Sequence, residues 1–360
     1  MATVQDAPKR GVRVSRRKFL LMCGAGLALL TGCKRQPSAT ATPPSATAPV
    51  KSAPTAAVFT SPLGAQPFQS PMTGAETSAR EAALVQEAAT LDVKGRIVFH
   101  SERSGNFDIW SMKADGSDLR QLTTAPELDV EPAWAPDGQQ IVFVSGRDDP
   151  NKPAIYVMDA DGGNQRLLVK VEGALCNGPV WSPDGTRIAF FSSLGGHYGL
   201  HLVNADGSNL TSLTPDENNN LRPTWSPDGQ RLVFASDRDE GRNLYFLTVA
   251  DGAITRLTTG PYTDDTPRWS PDGRTILFSS NRAGIVRGLF TVPAAGGEPK
   301  LLVTPPQNDE SPAWAGNGQF IVFSSSRTQD WELYLMRADG KDLRQLTLSQ
   351  GMDRFPAWTP

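Results

Sequence analysis

From residue 95 onward, short apolar runs alternate with clusters of turn-forming residues. Ile141 and Phe143 stand two apart, as do Leu232 and Phe234, the spacing that places side chains on one face of a strand. Between such runs stand Pro227-Asp228-Gly229 and Ala205-Asp206-Gly207, sequences of the tight-turn type. The pattern predicts half-buried strands joined by hairpins, four to a repeat.

The repeat itself is marked by tryptophans two positions after a proline. They are Trp134, Trp181, Trp225, Trp269, Trp314 and Trp358, separated by 47, 44, 44, 45 and 44 residues. That period belongs to propeller blades. Residues 95–99 read as the second strand of a blade without its first, and residues 355–360 as a first strand without its continuation. The predicted fold is therefore all-β: a six-bladed β-propeller of four-stranded blades, closed by terminal strands that complete one another. Such closure removes the exposed sheet edges that promote aggregation.

The first quarter of the chain has none of this rhythm. Residues 19–30 are an apolar run too short to span a bilayer, and they follow Arg16, Arg17 and Lys18. This is the layout of a signal peptide. Arg16-Arg17 resembles a twin-arginine export signal, the basic region of an ordinary secretory signal being the alternative. Leu30-Thr31-Gly32-Cys33 resembles a lipobox, which implies cleavage before Cys33 and lipid on its thiol. Residues 34–75 are rich in Pro, Ala, Ser and Thr, the composition of a disordered tether. Thr73 and Glu76 have capping-box spacing, so residues 76–93 read as a short helix and connector before a propeller over 94–360. The expected product is exported, monomeric and lipid-anchored on the periplasmic or outer face of a membrane.

Composition narrows the function. The net charge is −3, yet residues 1–32 hold six basic residues and one acid, so the remainder is distinctly acidic. That disfavours a nucleic-acid partner. With Cys23 in the signal and Cys33 at the anchor, Cys176 is the one thiol left for the fold, which excludes an intramolecular disulfide there.

The unit Pro223-x-Trp225-Ser226-Pro227-Asp228-Gly229, followed by Phe234, the Ser236-x-Arg238 corner and Ala250-Asp251-Gly252, resembles the propeller repeat of the TolB family, the periplasmic component of the Tol-Pal system. The resemblance covers nearly all of residues 94–360. It implies a binding or scaffold propeller in the cell envelope. That family carries an α/β domain before its propeller, where this chain has tether and helix.

Three positions before each repeat proline stand Asp129, Cys176, Asn220, Asp264, Asp309 and Asp353. If these loops reach the channel mouth, the Asp and Asn residues form a negative funnel for a protein, a basic peptide tail or a cation such as Ca²⁺. The alternative is that each side chain caps its own loop. Arg222, Arg268, Arg354 and Phe355 are candidates for partner choice. His197 and His201 have metal-like spacing, but His201 falls in the column of Trp110, Tyr156, Tyr245, Phe290 and Tyr334, a packing position; no metal or other cofactor is expected from them. Arg103, Arg147, Arg238, Arg282 and Arg327 read as corner residues bonding neighbouring turns. The sequence has no Gly-x-Ser-x-Gly elbow, His-Glu-x-x-His helix or phosphate loop, so no catalytic residue is expected. A glycan or small-ligand receptor is the alternative function, and a lyase or hydrolase using channel carboxylates a further one.

Overall fold

The computed structural model describes residues 74–359. Arg16, Arg17, Cys33 and nearly all of the tether lie outside that range. Among the described residues there are one α-helix, α1 (Gly74–Ala89), and 24 strands arranged as six antiparallel four-stranded sheets.

These sheets are the blades of a propeller. The inner strands of blades 2 to 6 are Asp129–Trp134, Cys176–Trp181, Asn220–Trp225, Asp264–Trp269 and Asp309–Trp314. Blade 1 takes Arg96–Ser101, Asp108–Lys113 and Arg120–Gln121 from the front of the repeat region and its inner strand, Asp353–Trp358, from the back. The register pairs Ile97 with Trp358 and Ser101 with Asp353, so the two ends close the ring. Each inner strand touches the inner strands of both neighbouring blades.

The second strands depart from the half-buried expectation. In Gln140–Ser145 and Arg231–Ser236, for example, every residue after the first is buried, on both faces. Each blade is sandwiched between two others, so neither face meets water. Phe99, Phe143, Phe190, Phe234, Phe278 and Phe323 repeat at one position and are fully buried, each stabilising by about 1.5–3 kcal/mol relative to exposure.

Every inner strand carries a bulge. Pairing slips between its second and fifth residues, as between Val130 and Ala133. Its third residue has positive φ in all six blades: Glu131 53°, Gly178 58°, Arg222 54°, Thr266 48°, Ser311 52° and Phe355 52°. Five of these six are not glycine, each held at a cost of about 1–3 kcal/mol by the surrounding fold. Bulges re-aim side chains, and here they gather six residues at one end of the channel.

Helix α1 docks against the closing blades. Ala88 is fully buried in the cluster that contains Ile97, Leu346 and Trp358, and Leu84 is buried as well.

Candidate functional site

The expected ring of open carboxylates is not what the structure forms. Asp129, Asn220, Asp264, Asp309 and Asp353 are all fully buried, each held by the corner arginine of its own blade. Arg327 Nη2 lies 2.8 Å from both oxygens of Asp309; Arg282 Nε and Nη2 bind Asp264 at 2.9 and 2.6 Å. Arg147 reaches Asp129 at 3.0 Å, Arg238 reaches Asn220 at 2.8 Å, and Arg103 reaches Asp353 across the terminal closure at 2.5 Å. The guanidiniums also lie over aromatic rings, Arg147 4.7 Å from Tyr156 and Arg327 4.7 Å from Tyr334. The two columns read separately in the sequence are thus one clasp inside five of the six blades, and the arginines bond neighbouring turns as well: Arg282 donates to the Thr259 carbonyl at 2.8 Å and Arg238 to Asp216 at 3.1 Å. Four of these contacts pair an arginine with a carboxylate of its own blade, while in blade 4, where Asn220 is neutral, Arg238 pairs with Asp216 instead.

Blade 3 has lost the clasp at both ends. Cys176 replaces the Asp and Leu194 the Arg, while His201 replaces the ring. His201 stacks on Phe190 at 5.4 Å and meets Ser192 Oγ at 2.9 Å, as a packing residue does. Burial lowers its pKa and raises that of the Cys176 thiol to about 11, so neither is charged at neutral pH. A cavity of about 350 Å³ lies beside His201, lined also by Leu194, His197, Thr214, Asp216 and Glu217. Among the described residues no group of three or more His, Cys, Asp or Glu is placed to hold a metal ion.

The residues that face one another across the channel come from the bulges and from the positions just before the third strands. Arg222 of blade 4 crosses to Glu131 of blade 2 at 3.0 Å, lies 3.8 Å from Asp265 of blade 5, and rests 4.4 Å over the ring of Phe355 in blade 1. Arg242 binds Asp265 at 2.8 Å. Arg287 lies 3.8 Å from Asp265 and 3.5 Å from Glu310, and Arg354 binds Glu310 at 2.8 Å while covering Trp331 at 4.3 Å. Glu131 also accepts the Gly178 amide of blade 3 at 2.7 Å. All six blades are therefore tied together at this end. Burial alone raises the pKa of Asp265, but Arg242, Arg222 and Arg287 overcome it and hold the carboxyl below its ordinary value. Half-buried Phe107, Tyr198 and Trp331 stand at the equivalent positions of blades 1, 3 and 6, and Pro153 at that of blade 2. Aromatic and arginine residues concentrated in this way characterise protein-binding surfaces.

One buried acid lies apart from this network. Burial, and next the charge of Asp353, push the Glu332 carboxyl well above 4.5. Its folded form therefore favours the proton, and the stability this contributes is present at acidic pH and lost as pH rises toward the folded pKa. Glu332→Gln keeps an acceptor for the Ser349 amide and supplies a donor toward Thr347 Oγ1. It is expected to raise stability by about 1 kcal/mol near pH 7.5, a few °C in Tm, with little change near pH 4. Calorimetry at the two pH values checks this; equal shifts at both contradict it.

Comparison with known proteins agrees with this architecture. The profile of the TolB beta propeller domain matches residues 92–174 and 149–360. The Tol-Pal system protein TolB of Polaromonas sp. strain JS666 is 33% identical over 79 residues, 22% of this chain and 18% of that protein; TolB of Albidiferax ferrireducens is 32% identical over the same shares. The chain thus aligns with less than a fifth of these relatives. Among solved structures, TolB from Acinetobacter baumannii superposes with a TM-score of 0.67 at 24% identity, over 79% of this chain and 72% of that one. A putative TolB from Agrobacterium tumefaciens gives 0.59 at 23% identity, over 74% and 99%.

Proposed function

Because this chain belongs to the TolB β-propeller family, we propose that it is an exported, lipid-anchored binding protein of the cell envelope that captures a protein or peptide at the mouth of its channel, in a role related to the Tol-Pal system. The observation that carries this is the convergence of Arg222, Arg242, Arg287 and Arg354 with Trp331, Phe107 and Tyr198 at one end of the channel. Arg222 and Arg354 lie over rings and all four arginines are paired with carboxylates, so they are held in place before a partner arrives, which lowers the ordering cost of binding. Binding, with no turnover, is the activity this arrangement supports.

A photo-crosslinking amino acid at Tyr198 tests the reading. A specific envelope partner is expected from that position and none from Leu167, which is 43% exposed on an outer strand. Crosslinks from Leu167 alone would move the interface to the propeller's side.

A further inference from the structure

We propose that the cavity in blade 3 takes up a guanidinium group, carried by a partner's arginine side chain or by a small free compound, and seats it between the Thr214 carbonyl, the ring of His201 and the carboxylate of Glu217. The site goes beyond the channel-mouth reading and uses none of its residues.

The other blades show what this space holds. In blades 1, 4 and 6 the outer strand supplies Gln121, Arg256 and Gln345, paired in register with Trp110, Tyr245 and Tyr334. Each sends a nitrogen back to the carbonyl of a threonine two residues on: Thr123 at 2.9 Å, Thr258 at 2.8 Å and Thr347 at 2.7 Å. Arg256 does so with its guanidinium, which also meets Asp239 at 3.1 Å. A second polar side chain, Asp108, Asn243 or Glu332, stands beside it at the start of the third strand. Blades 2 and 5 place Leu167 and Leu301 at the outer position instead. In blade 5 a Cβ built on Gly288 would come within 3.1 Å of Leu301 Cδ1, so the leucine fills that space.

Blade 3 has neither solution. Ser212, opposite His201 in register, stands where Arg256 stands in blade 4, and Gly199 stands where Asn243 does. Leu194 has also replaced the corner arginine. With all three positions shortened or uncharged, the cavity of about 350 Å³ opens between them. The acceptor remains without its donor: among the described residues no side chain donates to the Thr214 carbonyl, which lies 3.3 Å from a Cβ built on Gly199. His201 presents a flat, neutral ring in the column on which the arginines of blades 2 and 6 lie, at 4.7 Å from Tyr156 and Tyr334. Arg238 holds Asp216 at 3.1 Å, whereas no cation among the described residues pairs with the exposed Glu217 on the same wall.

A carbonyl, a ring face and an unbalanced carboxylate suit a planar, charged group with several N–H donors. A guanidinium can stack and donate in two directions at once, which an ammonium cannot. Blade 4 uses that same group in the same place.

Fluorescence anisotropy with the full chain tests this, using labelled Ala-Ala-Arg-Ala-Ala, its Lys and Gln counterparts, and unlabelled agmatine as competitor. The Arg peptide is expected to bind more tightly than either counterpart. Ser212→Gln, which gives blade 3 the side chain that closes blades 1 and 6, should lower its affinity about tenfold or more while the melting temperature holds or rises. Glu217→Gln, a surface change, should weaken binding and flatten its salt dependence. Agmatine that competes at the peptide's own concentration assigns the site to a small free compound; competition only at far higher concentration assigns it to a protein segment. Failure of both to bind would overturn the proposal, as would equal affinity for the Arg and Gln peptides or equal binding by wild type and both variants. Crosslinking from Tyr198 is unaffected by any of these outcomes, so the channel-mouth reading stands or falls separately.

Discussion

Asp309→Ala is expected to destabilise the propeller by about 3–5 kcal/mol, because it strands the Arg327 guanidinium inside blade 6 without its carboxylate. The double change Asp309→Cys/Arg327→Leu is expected to recover most of that loss. Blade 3 already carries this pair as Cys176 and Leu194 and folds into the same four strands. The physical reason is the desolvation cost of burying an ion pair. Burial raises the pKa of Asp309 despite Arg327, Ser325 and their hydrogen bonds, so the pair contributes little net stability while each member depends on the other. A double-mutant cycle on thermal midpoints measures the coupling. If the double variant is as unstable as Asp309→Ala, the clasp does more than cancel its own charges.

Ending the chain at Met352 should have the larger effect and abolish cooperative folding. It removes the inner strand of blade 1, whose Phe355 and Trp358 are 7% and 8% exposed, and uncovers Ile97, Val98 and Phe99 on the strand it pairs with. Losing a buried Phe or Trp costs about 3–5 kcal/mol each, and the edge left behind invites aggregation. Against a typical total stability of about 5–15 kcal/mol, the ring does not survive. Circular dichroism melts and gel filtration report this directly; a truncated chain that melts as a monomer at the wild-type midpoint contradicts terminal closure.

The fold was readable because each blade repeats the same physics. Trp, Pro-Asp-Gly and Ala-Asp-Gly recur at blade period, and the incomplete units at residues 95–99 and 355–360 point to one shared blade. What one period could not reveal was that the second strands are covered on both faces, since alternation describes one strand and burial depends on its neighbours. The clasp left a signal that went unused: Asp129 and Arg147, Asn220 and Arg238, Asp264 and Arg282, and Asp309 and Arg327 are each 18 residues apart, and both members vanish together at Cys176 and Leu194. The cross-channel network left no such trace. Arg222 and Glu131 are 91 residues apart and belong to blades that are not adjacent. Arg222, Arg268, Arg354 and Phe355 stood out as blade-specific residues, but their meeting depends on six bulges whose positive φ no spacing announces.

The measurement that bears most directly on the binding account is photo-crosslinking from Tyr198 in living cells, in the wild-type chain and in a Trp331→Ala/Arg287→Ala background. The account predicts a discrete envelope adduct from wild type that is lost in the double variant while its melting transition persists. An adduct of equal yield in both, or one formed from Leu167 instead, would contradict a binding site built from the arginines and rings of the channel mouth.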